Sequence, residues 1–292
     1  MSSSQRVKQI ENIRAFAIFL VVFGHSIILY SSSWDLYDTT VMAPWLDYLK
    51  LIIDFIQMPL FFSISGYLFK FTHSKNKGIV NLIVNKTKRL LVPYVGIGLL
   101  YLLPIRVLIE FESYRKIGIN QIFEKFLYSN DVGHLWFLPA LFLIFILSEM
   151  ILSVVENIPV IKHTSEIFLC AVALILYLEG YRIGFGYPPL LGAYNYLIWF
   201  AGGYFLNVHN KTIQKLYNIN LIKYALPIIN IVMIYIYGNN HVDLNVLFVL
   251  CLKALSLVNI YALASSKSNS IICSIAKNSF GIYLLHSPLI YI

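Results

Sequence analysis

Residues 10–27 read IENIRAFAIFLVVFGHSI, in which Glu11 and Arg14 are followed by an apolar run with a single histidine, His25, close to its end. As an α-helix, residues 10–27 cover about 27 Å, which nearly matches the hydrocarbon core of a bilayer. Arg6 and Lys8 precede this run, and a cleavable signal peptide also begins with basic residues. However, a histidine is unusual inside the apolar region of a signal peptide. We therefore interpret the run as an uncleaved first transmembrane helix.

The rest of the chain repeats this apolar pattern. Of the 292 residues, 59% are hydrophobic and 12% are charged, and the mean hydropathy is +0.73. About a quarter of the residues of a soluble domain are charged. The nine predicted spans are 13–30, 49–69, 90–111, 135–155, 167–181, 190–206, 221–237, 244–264 and 271–292. The sequence therefore predicts an all-α, polytopic integral membrane bundle of about nine to ten transmembrane helices, in one domain over residues 1–292.

Two regions of this pattern are less regular. Glycine and proline residues interrupt the fifth and sixth predicted spans, so a re-entrant segment is an alternative there. The last span either contains Lys277 or begins after it and stops short of full membrane thickness at Ile292. We expect the natural chain to continue beyond that residue. The largest polar loop, 112–134, has room for one short amphipathic helix.

The net charge of +8 comes from basic residues that lie mostly in alternate loops. This alternation orients a membrane protein, because Lys and Arg are retained on the cytoplasmic side. It places the N-terminus and the second, fourth, sixth and eighth loops inside, and the first, third and seventh loops outside. Because the basic residues follow no single face or helix, a nucleic-acid partner is excluded. The cytoplasmic segments hold Arg6, Lys8 and Arg14; Lys70, Lys75, Lys77, Lys86, Lys88 and Arg89; Lys211, Lys215 and Lys223; and Lys267 and Lys277.

Three cysteines, Cys170, Cys251 and Cys273, lie in or beside apolar stretches. They show neither the CxxC spacing of a thiolate metal site nor an obvious partner for a disulfide. We interpret them as packing residues that face lipid or the protein core, and we expect the protein to use no metal.

The first helix carries the strongest chemical signal. Arg14 and His25 are eleven residues apart, which is three turns, so they fall within about 20° of one stripe with His25 about 16 Å deeper. Glu11 precedes Arg14 by three residues and can pair with it at the cytoplasmic rim. An ionisable residue well inside a span is a functional hypothesis by default. The alternative is that His25 only hydrogen-bonds a neighbouring helix, while Glu11 and Arg14 only set the topology.

Three further stretches each carry a weaker signal. Residues 59–67, PLFFSISGY, combine a proline with small residues that allow another backbone or a ligand to approach, although packing alone would also explain them. Residues 134–139, HLWFLP, lie at the outer mouth of the fourth span, where an interfacial aromatic belt is the simpler interpretation. Residues 281–286, GIYLLH, place a second intramembrane histidine, His286, late in the chain.

Taken in order, these stretches resemble the membrane-bound acyltransferase-3 family, and most of all its fucose-4-O-acetylase-like polysaccharide O-acetyltransferases. The resemblance covers about residues 8–290. It rests on Arg14 followed after ten residues by His25, and on PLFFSISGYLF (59–69), KRLLVPY (88–94), HLWFLPALF (134–142) and SFGIYLLH (279–286). The chain departs from the family at Gln57, where relatives often carry a histidine, and at Glu11, where Asp is commoner. The family's last helix also usually extends beyond the position of Ile292.

The resemblance implies acetyl transfer from cytoplasmic acetyl-CoA to a hydroxyl of an envelope polysaccharide or its lipid-linked precursor, in a bacterial cytoplasmic membrane. A hydroxyl needs a base of near-neutral pKa to attack a thioester, which makes His25 the expected base, with Glu11 beside it in the catalytic set.

CoA carries phosphate charges, which basic residues attract, although the positive-inside rule alone would also explain the loop lysines. The residues expected to bind acetyl-CoA are Arg14, Lys88, Arg89, Ser65 and Tyr67. Of these, Ser65 and Tyr67 are expected to donate hydrogen bonds to the thioester oxyanion. The residues expected to bind the acceptor are His134, Trp136 and His286.

Another functional class remains open at this stage. A secondary transporter or a flippase for a lipid-linked glycan could use Arg14, His25 and His286 as a proton or anion path, although the sequence shows no inverted repeat. A membrane sensor or scaffold is disfavoured, because no soluble output domain is attached. Homo-oligomerisation is left open, and the sequence does not identify the sugar or its hydroxyl.

Overall fold

The computed structural model of the chain describes residues 3–31, 43–73, 78–109, 114, 118–130, 132–183, 186–240 and 245–291. Within these ranges all regular secondary structure is helical, which confirms the predicted all-α, polytopic membrane bundle. The helices are α1 (Ser3–Ile27), α2 (Pro44–His73), α3 (Ile79–Leu108), α4 (Ile119–Leu127), α5 (Phe137–Glu156), α6 (Ser165–Ile183), α7 (Pro188–Val208), α8 (Asn210–Tyr217), α9 (Asn220–Asn240), α10 (Val246–Leu263) and α11 (Ser270–Tyr291).

Six helices of the described ranges are long and apolar enough to cross a membrane. They are α1, α2, α3, α5, α9 and α10, and each overlaps a predicted span. Three more helices, α6, α7 and α11, fall on the remaining predicted spans, and their position in the membrane stays a prediction. The charged residues of α6, which are Glu166, Glu179 and Arg182, explain why its apolar character is weaker.

The third helix begins earlier than its apolar pattern suggested. It starts at Ile79 rather than near residue 90, because the amphipathic turns of Ile79–Lys86 continue without a break through the basic segment into the apolar part. Two π-helical segments, Thr87–Leu91 and Gly98–Leu102, interrupt the regular hydrogen bonding of α3. Such segments are often found at functional sites. The short helix expected in the loop before the fourth span is α4.

The chain forms two compact units. Unit 1 comprises Met1–Tyr67 and Leu206–His286, and unit 2 comprises Leu68–Phe205 and Ser287–Ile292. Of the residues assigned to a site from the sequence, unit 1 holds Glu11, Arg14, His25, Ser65, Tyr67 and His286, and unit 2 holds Lys88, Arg89, His134 and Trp136. The assignment of both units to one domain stays a prediction.

In unit 1, the start of α1 is fastened to the end of α10 by side-chain amides. Gln9 donates from Nε2 to the carbonyl oxygen of Tyr261 at 2.7 Å, and Asn12 donates from Nδ2 to the carbonyls of Ser265 and Lys267 at 2.7 and 2.8 Å. The Tyr261 carbonyl lies in the last turn of α10, where carbonyls have no partner inside the helix, so Gln9 satisfies a group that would otherwise need water. Asn12 bonds to the segment that directly follows the helix. These contacts fix the height of α1 beside α10.

A second contact of unit 1 joins α1 to α2 at a glycine. A Cβ atom on Gly24 would lie 2.9 Å from Cγ2 of Ile53 and 3.1 Å from Oε1 of Gln57. Buried leucine and isoleucine side chains, including Leu20 and Ile53, surround this point. Because only glycine leaves room at this position for the Ile53 and Gln57 side chains, position 24 influences the distance between α1 and α2.

Unit 2 is held together by aromatic and charged contacts. The rings of Phe69, Phe145 and Phe200 pack at centroid distances of 5.2 to 5.5 Å. His73, at the end of α2, lies between two carboxylates of α5, with Nδ1 2.8 Å from Glu149 and Nε2 3.2 Å from Glu156. These contacts join the end of α2 to α5 and α7.

Candidate functional site

Arg14 and His25 both lie on α1, which runs without interruption from Ser3 to Ile27. Their separation along the axis is therefore about 16 Å, as the sequence predicted. Arg14 is half-buried and lies within electrostatic range of the Glu11 carboxylate and the Tyr261 hydroxyl.

The ion pair expected between Glu11 and Arg14 is not formed. The side-chain pairs with N···O distances of 4.0 Å or less in the described ranges are Lys50–Asp54, His73–Glu149 and His73–Glu156. The Glu11 carboxylate instead faces α11, where its Oε2 lies 3.9 Å from the Sγ of Cys273. This position explains the missing pair, because the carboxylate is directed at a neighbouring helix.

Tyr261 of α10 is a residue that the sequence analysis missed, and it connects Arg14 to the PLFFSISGY stretch. Its hydroxyl lies 3.2 Å from Oγ of Ser63, which itself donates to the Leu60 carbonyl at 2.8 Å. Tyr261 is therefore the donor of that bond. Its ring also stacks on Tyr67, with centroids 5.3 Å apart. No motif points to Tyr261, because its role depends on the packing of α10 against α2.

Tyr67 is fully buried and held from two sides by asparagines. Asn210 donates from Nδ2 to the Tyr67 hydroxyl at 2.6 Å, and Asn207 donates to its carbonyl at 2.8 Å. Tyr67, Asn210 and Tyr261 line a small cavity within unit 1. The hydroxyl of Ser65 donates to the Phe61 carbonyl at 3.1 Å, and a serine has one hydrogen to donate. Ser65 would have to release that carbonyl before it could donate to an oxyanion.

The two intramembrane histidines lie side by side, although they come from opposite ends of the chain. The rings of His25 and His286 are 4.9 Å apart and nearly perpendicular, at 82°. Nδ1 of His286 lies 2.8 Å from the Tyr283 carbonyl. Because a carbonyl only accepts, Nδ1 carries the hydrogen, and Nε2 is the proton-accepting nitrogen of the neutral ring.

A second group missed from the sequence lies on α2 and α10. Lys50 is completely buried and pairs with Asp54, which also accepts a hydrogen bond of 2.6 Å from Nε2 of Gln57. Lys253 is attracted to the same aspartate and places Nζ 5.0 Å from the centre of the Phe55 ring. We name Lys50, Asp54, Gln57 and Lys253 the lysine–aspartate cluster. The available signal was a Lys and an Asp four residues apart inside an apolar span.

This cluster reaches α1 next to His25. Gln57 is the residue that faces Gly24, and its Oε1 is buried with no hydrogen-bond partner among the residues that the structure describes. A glutamine cannot carry a proton at this position as a histidine can. Through Gln57, the cluster therefore places a polar acceptor against the residue that precedes His25.

The predicted donor-binding residues of unit 2 lie on the first π-helical segment of α3. Lys88 and Arg89 are exposed there, whereas Lys86 places its Nζ 3.3 Å from the centre of the Phe145 ring. Lys86 therefore makes a cation–π contact inside unit 2, and its charge is engaged by the protein itself. Lys75 and Lys77 lie outside the described residues.

The predicted acceptor residues of unit 2 share one turn before α5. His134 is buried and Trp136 is half-buried in the turn Gly133–Trp136. The ring of Trp136 packs against Tyr196 of α7, with centroids 5.2 Å apart. Trp136 is therefore partly engaged in helix packing.

Comparisons with known proteins give one match. A family described as an acyltransferase domain matches residues 7–292, which is nearly the whole chain. The search of curated proteins and the search of solved structures found no match.

Proposed function

This chain belongs to the acyltransferase domain family, and from that premise we propose that it transfers an acetyl group from acetyl-CoA to a hydroxyl of an envelope glycan. Family membership and the apolar helices make it a multi-pass membrane acyltransferase. Three further points belong to the proposal. They are acetyl-CoA as the donor, an envelope polysaccharide or its lipid-linked precursor as the acceptor, and the bacterial cytoplasmic membrane as the location. So does placement in the fucose-4-O-acetylase-like branch.

The observation that carries the proposal is the pair of His25 and His286 within unit 1. An acceptor hydroxyl becomes a strong nucleophile only as its proton is removed, and a neutral imidazole suits that task. His25 would take this proton as the acceptor oxygen bonds to the thioester carbonyl. When the tetrahedral intermediate collapses, the bond from carbon to sulfur breaks, and the CoA thiolate leaves and takes up the proton from His25. The ester product keeps the acetyl group.

The other residues have supporting roles in this proposal. Ser65 and Tyr67 are the proposed donors to the oxyanion, and Tyr261, whose ring stacks on Tyr67, is the residue proposed to orient Tyr67. Arg14 supplies positive charge in unit 1, as Lys88 and Arg89 do in unit 2, and these are the proposed contacts of CoA phosphates. His134, Trp136 and His286 stay the proposed acceptor-binding residues, and Glu11 stays in the proposed catalytic set.

Acetyl transfer by the purified full chain in proteoliposomes tests the proposal. Radiolabelled acetyl-CoA is supplied with the lipid-linked glycan fraction of the host, and ester-linked label is counted. We expect transfer by the wild type and a fall of about 10² to 10⁴-fold in His25→Ala, since a general base contributes that range. His163→Ala, at an exposed histidine in the turn Lys162–Thr164, is the matched control and should keep the wild-type rate.

Two results would contradict the proposal. Equal transfer by His25→Ala and the wild type at equal protein levels would make His25 structural. Movement of the glycan across the vesicle membrane without any new ester would favour the transporter or flippase.

A further inference from the structure

Unit 2 contains a groove that none of the proposed roles uses. It encloses about 460 Å³ beside α4 and the start of α7, within the range of small-ligand pockets. Its lining includes Gln121, Glu124, Lys125, Tyr128, Asn130 and Pro188. Gln121, Glu124, Lys125, Tyr128 and Asn130 belong to the third loop, which the charge pattern places outside, and Pro188 lies between the fifth and sixth predicted spans. The groove is thus predicted to open on the side of the membrane where an envelope glycan lies.

The helix that forms the groove is firmly held by α3. Tyr94 donates from its hydroxyl to the Phe126 carbonyl at 2.7 Å, and the two rings stack at 4.8 Å. A Cβ atom on Gly98 would lie 2.2 Å from the Phe126 ring, so glycine is required for α4 to lie this close. The polar side chains of α4 therefore project from a fixed support rather than from a loose loop.

The end of α4 contains a strained residue. Ser129 has a φ of +51°, and it is the one non-glycine residue of the described ranges with positive φ. Its buried hydroxyl donates to the Tyr94 hydroxyl at 2.8 Å, because the hydrogen of Tyr94 is already used for Phe126. This contact compensates the left-handed backbone, which is unfavourable for a serine. The turn that results directs both neighbours, Tyr128 and Asn130, to the groove.

The chemistry of the lining is suited to a neutral sugar. Among the lining residues that the structure describes, Glu124 and Lys125 carry opposite charges, which offset each other and favour a neutral ligand over a phosphate. The carboxylate accepts hydrogen bonds from hydroxyls, while the ammonium and the amides of Gln121 and Asn130 donate to them. Tyr128, which is 58% exposed, offers an aromatic face for the apolar face of a pyranose ring.

We propose that the groove of Gln121, Glu124, Lys125, Tyr128 and Asn130 binds a neutral pyranose unit of the acceptor glycan. The inference rests on the proposed function for the identity of its ligand. It adds an acceptor contact distinct from His134 and Trp136, because those two residues belong to another turn and do not line the groove.

Saturation-transfer NMR with the purified full chain in detergent tests this inference. The probes are maltotriose and chitotriose, which represent plain and N-acetylated pyranoses, and acetyl-CoA is left out. We expect at least one probe to bind the wild type and to lose affinity about tenfold in Tyr128→Ala and in Glu124→Gln. Leu127→Ala, at a 72% exposed neighbour on α4 that does not line the groove, should bind as the wild type does.

The outcomes separate this inference from the proposed function. Because Glu124→Gln keeps the side-chain shape, it tests the groove even where Tyr128→Ala lowers the yield of folded protein. Absence of binding to both probes, or equal affinity in the wild type and both groove variants, would overturn the inference. If the probes bind through Tyr128 and Glu124 but the protein transfers no acetyl group, the sugar site stands and the proposed reaction is wrong.

Discussion

Two lysines of unit 1 share one carboxylate. Asp54 is one carboxylate beside two lysines, Lys50 and Lys253, and it also accepts a hydrogen bond from Gln57. A buried charge is tolerated only where a partner and hydrogen bonds replace its hydration. Asp54 is therefore the residue on which this whole cluster depends.

Replacing Asp54 with asparagine should destabilise the protein. Asp54→Asn keeps the side-chain shape but leaves two ammonium groups without their counter-charge. We expect a loss of about 2 kcal/mol, less than for a fully enclosed pair because 34% of the Asp54 side chain is exposed. The measurement is the midpoint of thermal unfolding in detergent. Adding Lys50→Met to Asp54→Asn should recover part of the loss, and an unchanged midpoint in the single variant would contradict the prediction.

The proposed donor-binding arginines give a second prediction. Arg14→Lys and Arg89→Lys keep the charge but lose the planar fork that binds phosphate through two hydrogen bonds. We expect each to weaken CoA binding about tenfold, measured by calorimetric titration. Arg106→Lys is the control, since Arg106 packs on Tyr114 at the end of α3 that is predicted to lie outside. Wild-type affinity in both test variants would leave Arg14 and Arg89 as determinants of topology alone.

At the scale of the element, glycines decide how closely the helices approach. Gly24 brings α1 against Ile53 and Gln57 of α2, and Gly98 brings α3 against Phe126 of α4. Neither position has a positive φ, so the requirement at each is space rather than backbone conformation. The first contact bears on the proposed reaction, because the proposed base His25 directly follows Gly24.

A methyl group at position 24 should therefore lower the rate of transfer. Gly24→Ala would force α1 away from α2 and displace His25, and a displacement of about 1 Å from a productive geometry costs about a hundredfold in rate. The measurement is the rate of acetyl transfer at saturating acetyl-CoA. Gly281→Ala is the matched control, because a Cβ there meets no atom within 4 Å and alanine favours a helix. Equal rates in the two variants would show that this helix contact does not position the base.

At the scale of the whole molecule, charge and hydropathy set the orientation. Basic residues concentrate in alternate loops, and six helices of the described ranges can cross the membrane. Donor and acceptor are accordingly proposed to approach from opposite sides. The end of α4 is predicted outside, and the turn between α5 and α6 is predicted inside.

Labelling from outside the cell tests this orientation. The native cysteines Cys170, Cys251 and Cys273 are first replaced. Single cysteines are then introduced as Leu127→Cys, at a residue that is 72% exposed, and as Val160→Cys, at a residue that is 87% exposed. An impermeant maleimide should label the first in intact cells and the second only after lysis. Labelling of Val160→Cys in intact cells would invert the topology and move the proposed CoA contacts to the outer side. Ser129 is unsuitable as a site because it is buried.

The class of the protein, the location of its apolar helices and the position of Arg14 and His25 on one helix were predictable from the amino-acid sequence. Each of these is a local property. A run of about twenty apolar residues needs no distant partner to favour a membrane helix, since lipid requires every backbone group to bond within the helix. The separation of Arg14 and His25 then follows from helix geometry alone.

The contacts between side chains of different helices could be identified only from the folded structure. It paired His25 with His286, placed Tyr261 between Ser63 and Tyr67, and gathered Lys50, Asp54, Gln57 and Lys253 on two helices. It also directed the Glu11 carboxylate to α11 rather than to Arg14. The rotation and height of a helix in a bundle depend on many weak packing contacts with all its neighbours, and no single stretch of sequence contains that information.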